Sequence, residues 1–228
     1  MSPAHPLDRP VWSALTSRQA PLSLGDARAW RFDPAYGLFA AAADASPEST
    51  AALGAFNTSP NGMGLVEAGD MPLPTGVVVR AQAACVQMVA STLTAGGKTV
   101  AFEPLGEADA ADMLALATLT VPGPFFEKTH QLGDFIGVKQ DGRLIAMAGE
   151  RMKPDGFTEV SGVCTHPDFR GRGLAGALMR EVTQRILKRG EQAFLHAYAA
   201  NTATIALYET LGFRVRTAVT YTVLDGPA

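Results

Sequence analysis

The sequence predicts an α/β (α+β) fold: a central mixed, largely antiparallel sheet flanked by helices, preceded by a small α/β unit. Three observations predict it. From Phe135 to Thr165 the pattern has the period of strands, interrupted by Gln140-Asp141-Gly142-Arg143 and Lys153-Pro154-Asp155-Gly156. An Asp-Gly pair favours a hairpin because both central residues can take positive φ, so three strands form an antiparallel meander. From Leu174 to Ile186, the apolar residues Leu174, Leu178, Val182 and Ile186 recur at i, i+4, the stripe of a core-facing helix. Finally, LTAGGKTV, Leu93 to Val100, divides an Ala- and Pro-rich first part from a more regularly patterned second part. The chain is therefore read as two domains, 1–97 and 98–228.

In the first domain, ARAWRFDP reads as a strand. Ser46-Pro47 supplies an N-cap followed by proline at the first helical position, opening a short helix to about Phe56. Gly64–Ala68 and Val77–Ala90 read as strands separated by the loop DMPLPTG. In the second domain, Thr99–Glu103 reads as a strand, and Glu107–Leu119 carries Met113, Leu114 and Ala117 at helical spacing. Pro122-Gly123-Pro124 breaks the chain before a short helical stretch, Phe125–Gln131. After the meander and the helix from Leu174, Lys188-Arg189-Gly190 ends that helix with cations in its last turn and a glycine beyond it. Ala193–Ala199 is then a strand, Thr202–Leu211 a helix closed by Gly212, and Phe213–Leu224 a final strand region.

Composition excludes several function classes. With 228 residues, 47% hydrophobic, the chain can bury a substantial core. Nineteen basic residues against 22 acidic, with no long run of either sign, leave no nucleic-acid footprint and no polybasic membrane patch. A small molecule is the expected partner. No apolar run approaches the roughly 20 residues of a bilayer span, and MSPAHPLDRPVW lacks the apolar core of a secretion signal, so the expected location is the cytoplasm. Cys85 and Cys164 stand far apart, and His5, His130, His166 and His196 are scattered, so free thiols and no metal site are expected.

The chemistry concentrates in THPDFRGRGLAGAL, Thr165 to Leu178. Gly171, Gly173 and Gly176 satisfy G-x-G-x-x-G, yet the dinucleotide reading fails on context. The preceding strand ends a hairpin meander, the following strand ends in Tyr198-Ala199-Ala200-Asn201 with no acidic residue, and too little chain remains for a doubly wound sheet. A P-loop fails too, because no Lys-Ser or Lys-Thr follows. Anion binding survives: the first amides of a helix have no intrahelical acceptor, sit at the positive end of its dipole, and are approachable where glycine carries no Cβ.

Read as Arg170-x-x-Gly173-x-Ala175, the same residues resemble the R/Q-x-x-G-x-G/A signature of the GNAT superfamily of N-acetyltransferases. NTATIALYETLGF, Asn201 to Phe213, resembles the family's second signature, and FTEVSGVCT is similar to its central strand. The resemblance covers about Thr99 to Leu224, and the His166-Pro167 and Arg170-Gly171-Arg172-Gly173-Leu174-Ala175 wording is most similar to the branch that includes glycine N-acyltransferases. It implies the GNAT fold and direct transfer of an acetyl group from acetyl-CoA to a primary amine of a small molecule or amino acid, without metal. It implies that the loop amides of Gly171, Arg172, Gly173, Leu174, Ala175 and Gly176, with Arg170, hold the pyrophosphate. It also implies that Val163, Cys164 and Thr165 act through their backbone on the pantetheine and thioester carbonyl, where the strand splays and Gly162 permits a bulge. Asn201 and Tyr208 would flank the pantetheine and thiol.

Each role stands beside a plainer one. Glu159, on the strand upstream of Arg170 at a spacing that matches the glutamate used in some members, is the candidate base; the alternative is a polar strand residue facing solvent. Strict alternation puts it on one face with Ser161, Val163 and Thr165. Tyr208 is the candidate acid for the leaving thiolate, or a packing residue. Asn201 is a cofactor contact, a helix N-cap, or both. Cys164 as a covalent nucleophile would need an activating base, and His166 is poorly placed to be one. A second function, a catalytically silent acyl-CoA-binding domain with a sensing or structural role, is opposed by the presence of both Glu159 and Tyr208. For residues 1–97 the resemblance implies either a degenerate second GNAT-like half or a substrate-shaping cap; they show no second R-x-x-G-x-A, so their expected role is to complete the fold or an oligomer interface, with a homodimer among the assemblies left open.

Overall fold

The computed structural model describes residues 5–225. Two sheets form. A small antiparallel sheet orders β1 (Ser23–Asp26), β2 (Ala29–Phe32) and β3 (Ala40–Ala42). A large sheet runs β4-β11-β5-β10-β9-β8-β7-β6, with β4 Met63–Glu67, β5 Val78–Ala90, β6 Glu103–Leu105, β7 Phe135–Gln140, β8 Arg143–Glu150, β9 Phe157–Thr165, β10 Gln192–Tyr198 and β11 Arg214–Asp225. The helices are α1 (Pro10–Leu15), α2 (Pro47–Ala55), α3 (Ala110–Thr120), α4 (Leu174–Lys188) and α5 (Thr202–Leu211).

The meander β7-β8-β9 forms as its turns demand: Asp141 and Gly142 take φ of 52° and 77°, and Gly156 takes 75°. The crossover through α4 makes β10 parallel to β9. Strand alternation then assigns the two faces of the sheet. Ala193 and Leu195 join the buried cluster under α4 with Leu174, Leu178, Val182 and Ile186, the stripe that the spacing predicts. Phe194 points the other way, into a cluster with Leu7, Val11, Phe32 and Phe39 of the first ninety residues.

The expected boundary near Gly97 does not divide the sheet. Strand β5, from the first part, inserts between β10 and β11 and pairs with both, from Tyr198↔Cys85 to Ala193↔Ala90 and from Arg214↔Val89 to Asp225↔Val78. Its near-continuous apolar half, Cys85 to Ala90, is where both neighbours cover it, as a central strand requires. The strand expected at Thr99–Glu103 is replaced by Glu103–Leu105, because Val100 and Phe102 pack against the α4 cluster instead of pairing. The linker is tied down along the way: Thr94 N donates to Leu211 O at 3.1 Å. The helical stretch expected at Phe125–Gln131 reduces to a single 3₁₀ turn, Thr129–Leu132. The helix expected from Glu107 starts as a 3₁₀ turn and becomes α-helical at Ala110. Helix α2 begins where the cap predicts, with Ser46 Oγ accepting from Ser49 N at 3.2 Å.

Candidate active site

The site begins where two strands part. The parallel pairing of β9 with β10 covers only Phe157↔Gln192 to Glu159↔Phe194. Beyond it β10 continues against β5 while β9 continues against β8, and a cleft opens between them. Gly162 sits at the fork with φ +62°, and the β8–β9 register slips between Met147↔Cys164 and Gly149↔Ser161, so one extra residue bulges. A Cβ at Gly162 would come within 2.8 Å of the Phe135 ring, so both the backbone and the space call for glycine. The bulge corrects one expectation: Val163 packs with Val160 on the α4 face, so Glu159 and Val163 lie on opposite faces.

On one side of this fork lies the glycine loop. Gly171 and Gly173 both take φ +75°, left-handed backbone that side chains rarely adopt, and Gly173 is the N-cap of α4. Gly176 lies within the first helical turn at ordinary φ, so it belongs to the helix and not to the turn. Among the described residues, no protein group accepts a hydrogen bond from the amides of residues 171 to 176. Lys98 Nζ donates to Arg172 O at 2.7 Å, and the Arg172 guanidinium lies over the Phe169 ring at 4.7 Å. A cleft of about 800 Å³ is lined by Val163 to Thr165, Arg170 to Gly176 and Asn201, residues that lie far apart in sequence. Such a run of free amides at a helix start, beside an open cleft, fits a pyrophosphate.

Helix α5 closes the cleft. Asn201 Oδ1 accepts from Thr204 N at 3.2 Å, so the N-cap is made while the residue still lines the cleft. Tyr208 packs against the α4 cluster, and burial pushes its phenol up, so it stays protonated at neutral pH. It lines a second cavity of about 400 Å³ that joins the first at Pro122, Val163, Asn201 and Thr204.

The far end of this second cavity is walled by Phe39, Val66, Cys85, Arg151, His196, Tyr198 and Tyr221, several of them from the first ninety residues. Here Glu159 is 1% exposed and fully engaged. Arg151 donates to it twice, Nε to Oε2 and Nη2 to Oε1, both at 2.8 Å, and His196 Nδ1 lies 2.8 Å from Oε1. Burial alone would raise the carboxyl, but the Arg151 charge and hydrogen bonds, with those of His196, outweigh it and hold Glu159 at about 2. A carboxylate so held is a poor proton acceptor. The alternative of a solvent-facing strand residue does not hold: Glu159 is buried, and both its oxygens are engaged by Arg151 and His196.

His196 and Arg151 are the site residues that the sequence reading missed. Gln87 Nε2 donates to Leu7 O at 2.8 Å and lies 3.1 Å from His196 Nε2, while Gln87 Oε1 accepts from Arg216 Nε at 2.6 Å. These partners fix the Gln87 amide, so His196 accepts at Nε2 and donates from Nδ1 to Glu159. Arg216 continues to Asp8 Oδ1 at 2.7 Å, so bonds link the N-terminal turn to the cavity wall. Gln19 braces Arg151 from behind, donating to Arg151 O at 2.7 Å and accepting from Lys153 N at 2.9 Å. The only signal available was the alternation of β10, which puts Phe194, His196 and Tyr198 on one face.

Neither cysteine is a nucleophile. Burial pushes the Cys164 thiol up to about 11 despite bonds from Thr120 and Met147, and burial raises Cys85 as well. His166 is occupied by Arg143, whose Nη2 lies 2.6 Å from its Nε2. Among the described residues no group of three or more His, Cys, Asp or Glu side chains could hold a metal ion, and no helix is long and apolar enough to cross a membrane.

Comparison with known proteins agrees with this arrangement. Residues 135–223 match the family described as FR47-like protein. The chain is 44% identical to a GNAT-family protein of known crystal structure from Novosphingobium aromaticivorans, over 99% of this chain and 100% of that one, with a TM-score of 0.91. A GCN5-related N-acetyltransferase from Kribbella flavida shares the fold, with a TM-score of 0.59 at 18% identity over 93% of this chain and 91% of that one. Among curated proteins, it is 35% identical to the [ribosomal protein bS18]-alanine N-acetyltransferase of Escherichia coli K12 over 34% of this chain and 53% of that protein. It is 31% identical to N-alpha-acetyltransferase RimI of Mycobacterium tuberculosis over 35% and 51%. The chain thus spans about half the length of the curated relatives it matches. With a splayed strand, a glycine loop at a helix start, and a near full-length relative of the same fold, the chain belongs to the GNAT superfamily of N-acetyltransferases.

Proposed function

We propose that this protein is an acetyl-CoA-dependent N-acetyltransferase acting on the primary amine of a small molecule. The observation that carries the reading is the adjacency of the two cavities: the one lined by the free amides of residues 171 to 176 and by Val163 to Thr165 shares Pro122, Val163, Asn201 and Thr204 with the one of about 400 Å³ that Tyr208 lines. Acetyl-CoA supplies an activated acetyl thioester when bound. The amides of Gly171 to Gly176 would hold its pyrophosphate, with Arg170 and Arg172, neither of them ion-paired among the described residues, adding charge. The backbone of Val163 to Thr165, released from β10, would donate to the thioester carbonyl, and Tyr208 would protonate the leaving thiolate.

Proton removal from the amine needs a different account from the one expected. Glu159 is committed to Arg151 and His196, and the His196 lone pair is directed at Gln87. The amine would therefore enter as the free base, having lost one proton to solvent; as the C–N bond forms and the C–S bond breaks, Tyr208 would protonate the thiolate and the second proton, from the adduct nitrogen, would return to the Tyr208 phenolate. A small acceptor is supported by the modest volume, about 400 Å³, of the cavity that Phe39, Val66 and Cys85 help to line.

The test is direct. Acetyl-CoA at millimolar concentration should raise the melting temperature, and an amine panel should release free CoA thiol, with kcat/KM rising with pH toward the pKa of each amine. No thermal shift, or no thiol release above hydrolysis with any amine, would leave the acyl-CoA-binding but catalytically silent reading, or neither.

A further inference from the structure

The pocket beyond Tyr208 has an unusual wall for a site that takes an amine: it is rich in donors and offers no free carboxylate. A guanidinium has five N–H donors. In Arg151, Glu159 takes one from Nε and one from Nη2, leaving Nη1 and the second Nη2 hydrogen with no protein acceptor among the described residues. The group lies over the Phe39 ring, 4.7 Å from its centroid, and Arg151 lines the cavity. The phenols of Tyr198 and Tyr221 line the same cavity and make no hydrogen bond to protein among the described residues. Burial pushes Tyr221 up to about 12, so it too is a donor at neutral pH.

We infer that the acceptor carries a carboxylate as well as its amine, and that the Nη1/Nη2 edge of Arg151 binds that carboxylate. The inference rests on the acetyl-transfer reading above. A guanidinium can pair with two carboxylates at once, Glu159 along one edge and a ligand along another, and the planar fork matches a planar carboxylate. An amine without an anionic group would leave these donors facing an apolar end of the pocket, and it would find no acidic partner there. A doubly charged phosphate would meet a single cation already half neutralised by Glu159. The N-terminal part of the chain supplies the preorganisation: Gln19 fixes the backbone at Arg151 and Lys153, Phe39 supports the guanidinium plane, and the Asp8–Arg216–Gln87–His196 chain locks Glu159, so little ordering is left for binding.

The experiment uses α-, β- and γ-amino acids, each paired with its own amide, with thiol release measured at saturating acetyl-CoA. At least one amino acid should exceed its amide in kcat/KM by about 10- to 100-fold, the worth of a charge-assisted hydrogen-bonded pair. Arg151→Lys keeps a cation beside Glu159 but loses the fork, so the ratio should fall toward one while the KM for acetyl-CoA stays unchanged. If that variant misfolds by circular dichroism, the double variant Arg151→Met/Glu159→Gln, which removes both charges together, gives the same readout. Amides matching or exceeding the acids in every pair, or a ratio that survives loss of the fork, would overturn the inference. The two readings fail separately: absence of acetyl-CoA binding sinks the enzyme reading, whereas acetyl-CoA binding with turnover of carboxylate-free amines alone sinks only this one.

Discussion

The two ends of the cleft are built on different principles. The end proposed for the cofactor is made of backbone: free amides from one stretch of chain, and a strand edge released by a glycine bulge. The end proposed for the acceptor is made of side chains, from Phe39, Cys85, Arg151, Glu159, His196 and Tyr221, spread across most of the chain. A backbone site needs glycines at set spacing and little else, so it tolerates sequence change around it. A side-chain site needs each charge matched, so Arg151, Glu159 and His196 stand or fall together.

Breaking that matched set should give the largest effect. Arg151→Met strands the Glu159 charge in the interior and should cost about 3–5 kcal/mol of stability, while adding Glu159→Gln should recover most of it. Urea unfolding of the single and double variants measures both. The same pair has a pH signature. Glu159 is depressed in the folded protein, so its contribution is present above the ordinary carboxylate pKa and is lost as pH falls from about 4.5 toward about 2. Glu159→Gln alone should flatten the acid limb of the stability curve across that window; an unchanged limb would mean that the pair does not hold the carboxyl down.

A smaller effect is expected where the two ends meet. Tyr208→Phe removes one cavity-lining hydroxyl and should leave the fold intact, yet lower kcat by about 10- to 100-fold if the phenol protonates the thiolate. Unchanged turnover at every pH would return Tyr208 to a packing role against Phe213, whose ring centroid lies 6.3 Å away.

The same contrast explains what could be read from the sequence. The meander turns, the α4 stripe and the glycine loop are local, and each was visible in a short window. The position of β5 was not, because nothing in VVRAQAACVQMVA says that it enters the sheet between β10 and β11. That one insertion carries Cys85 to the cavity wall and Gln87 behind His196, and it runs the sheet across the boundary expected at Gly97. Glu159 was singled out for its position, but its partners could not be, since Arg151 ends the neighbouring strand and His196 sits on the strand after α4. Alternation also failed at Gly162, where a bulge turns the strand over. The resemblance to the glycine N-acyltransferase branch rests on the His166-Pro167 and Arg170-to-Ala175 wording and finds no support among the relatives reported above.

Amide hydrogen exchange with and without acetyl-CoA tests the division of the cleft most directly. The account predicts slowed exchange at residues 163–165 and 171–176 on adding acetyl-CoA, with 150–152 and 194–197 unchanged until an acceptor is also present. Protection that spares 171–176, or that appears first around Arg151 and His196, would contradict it.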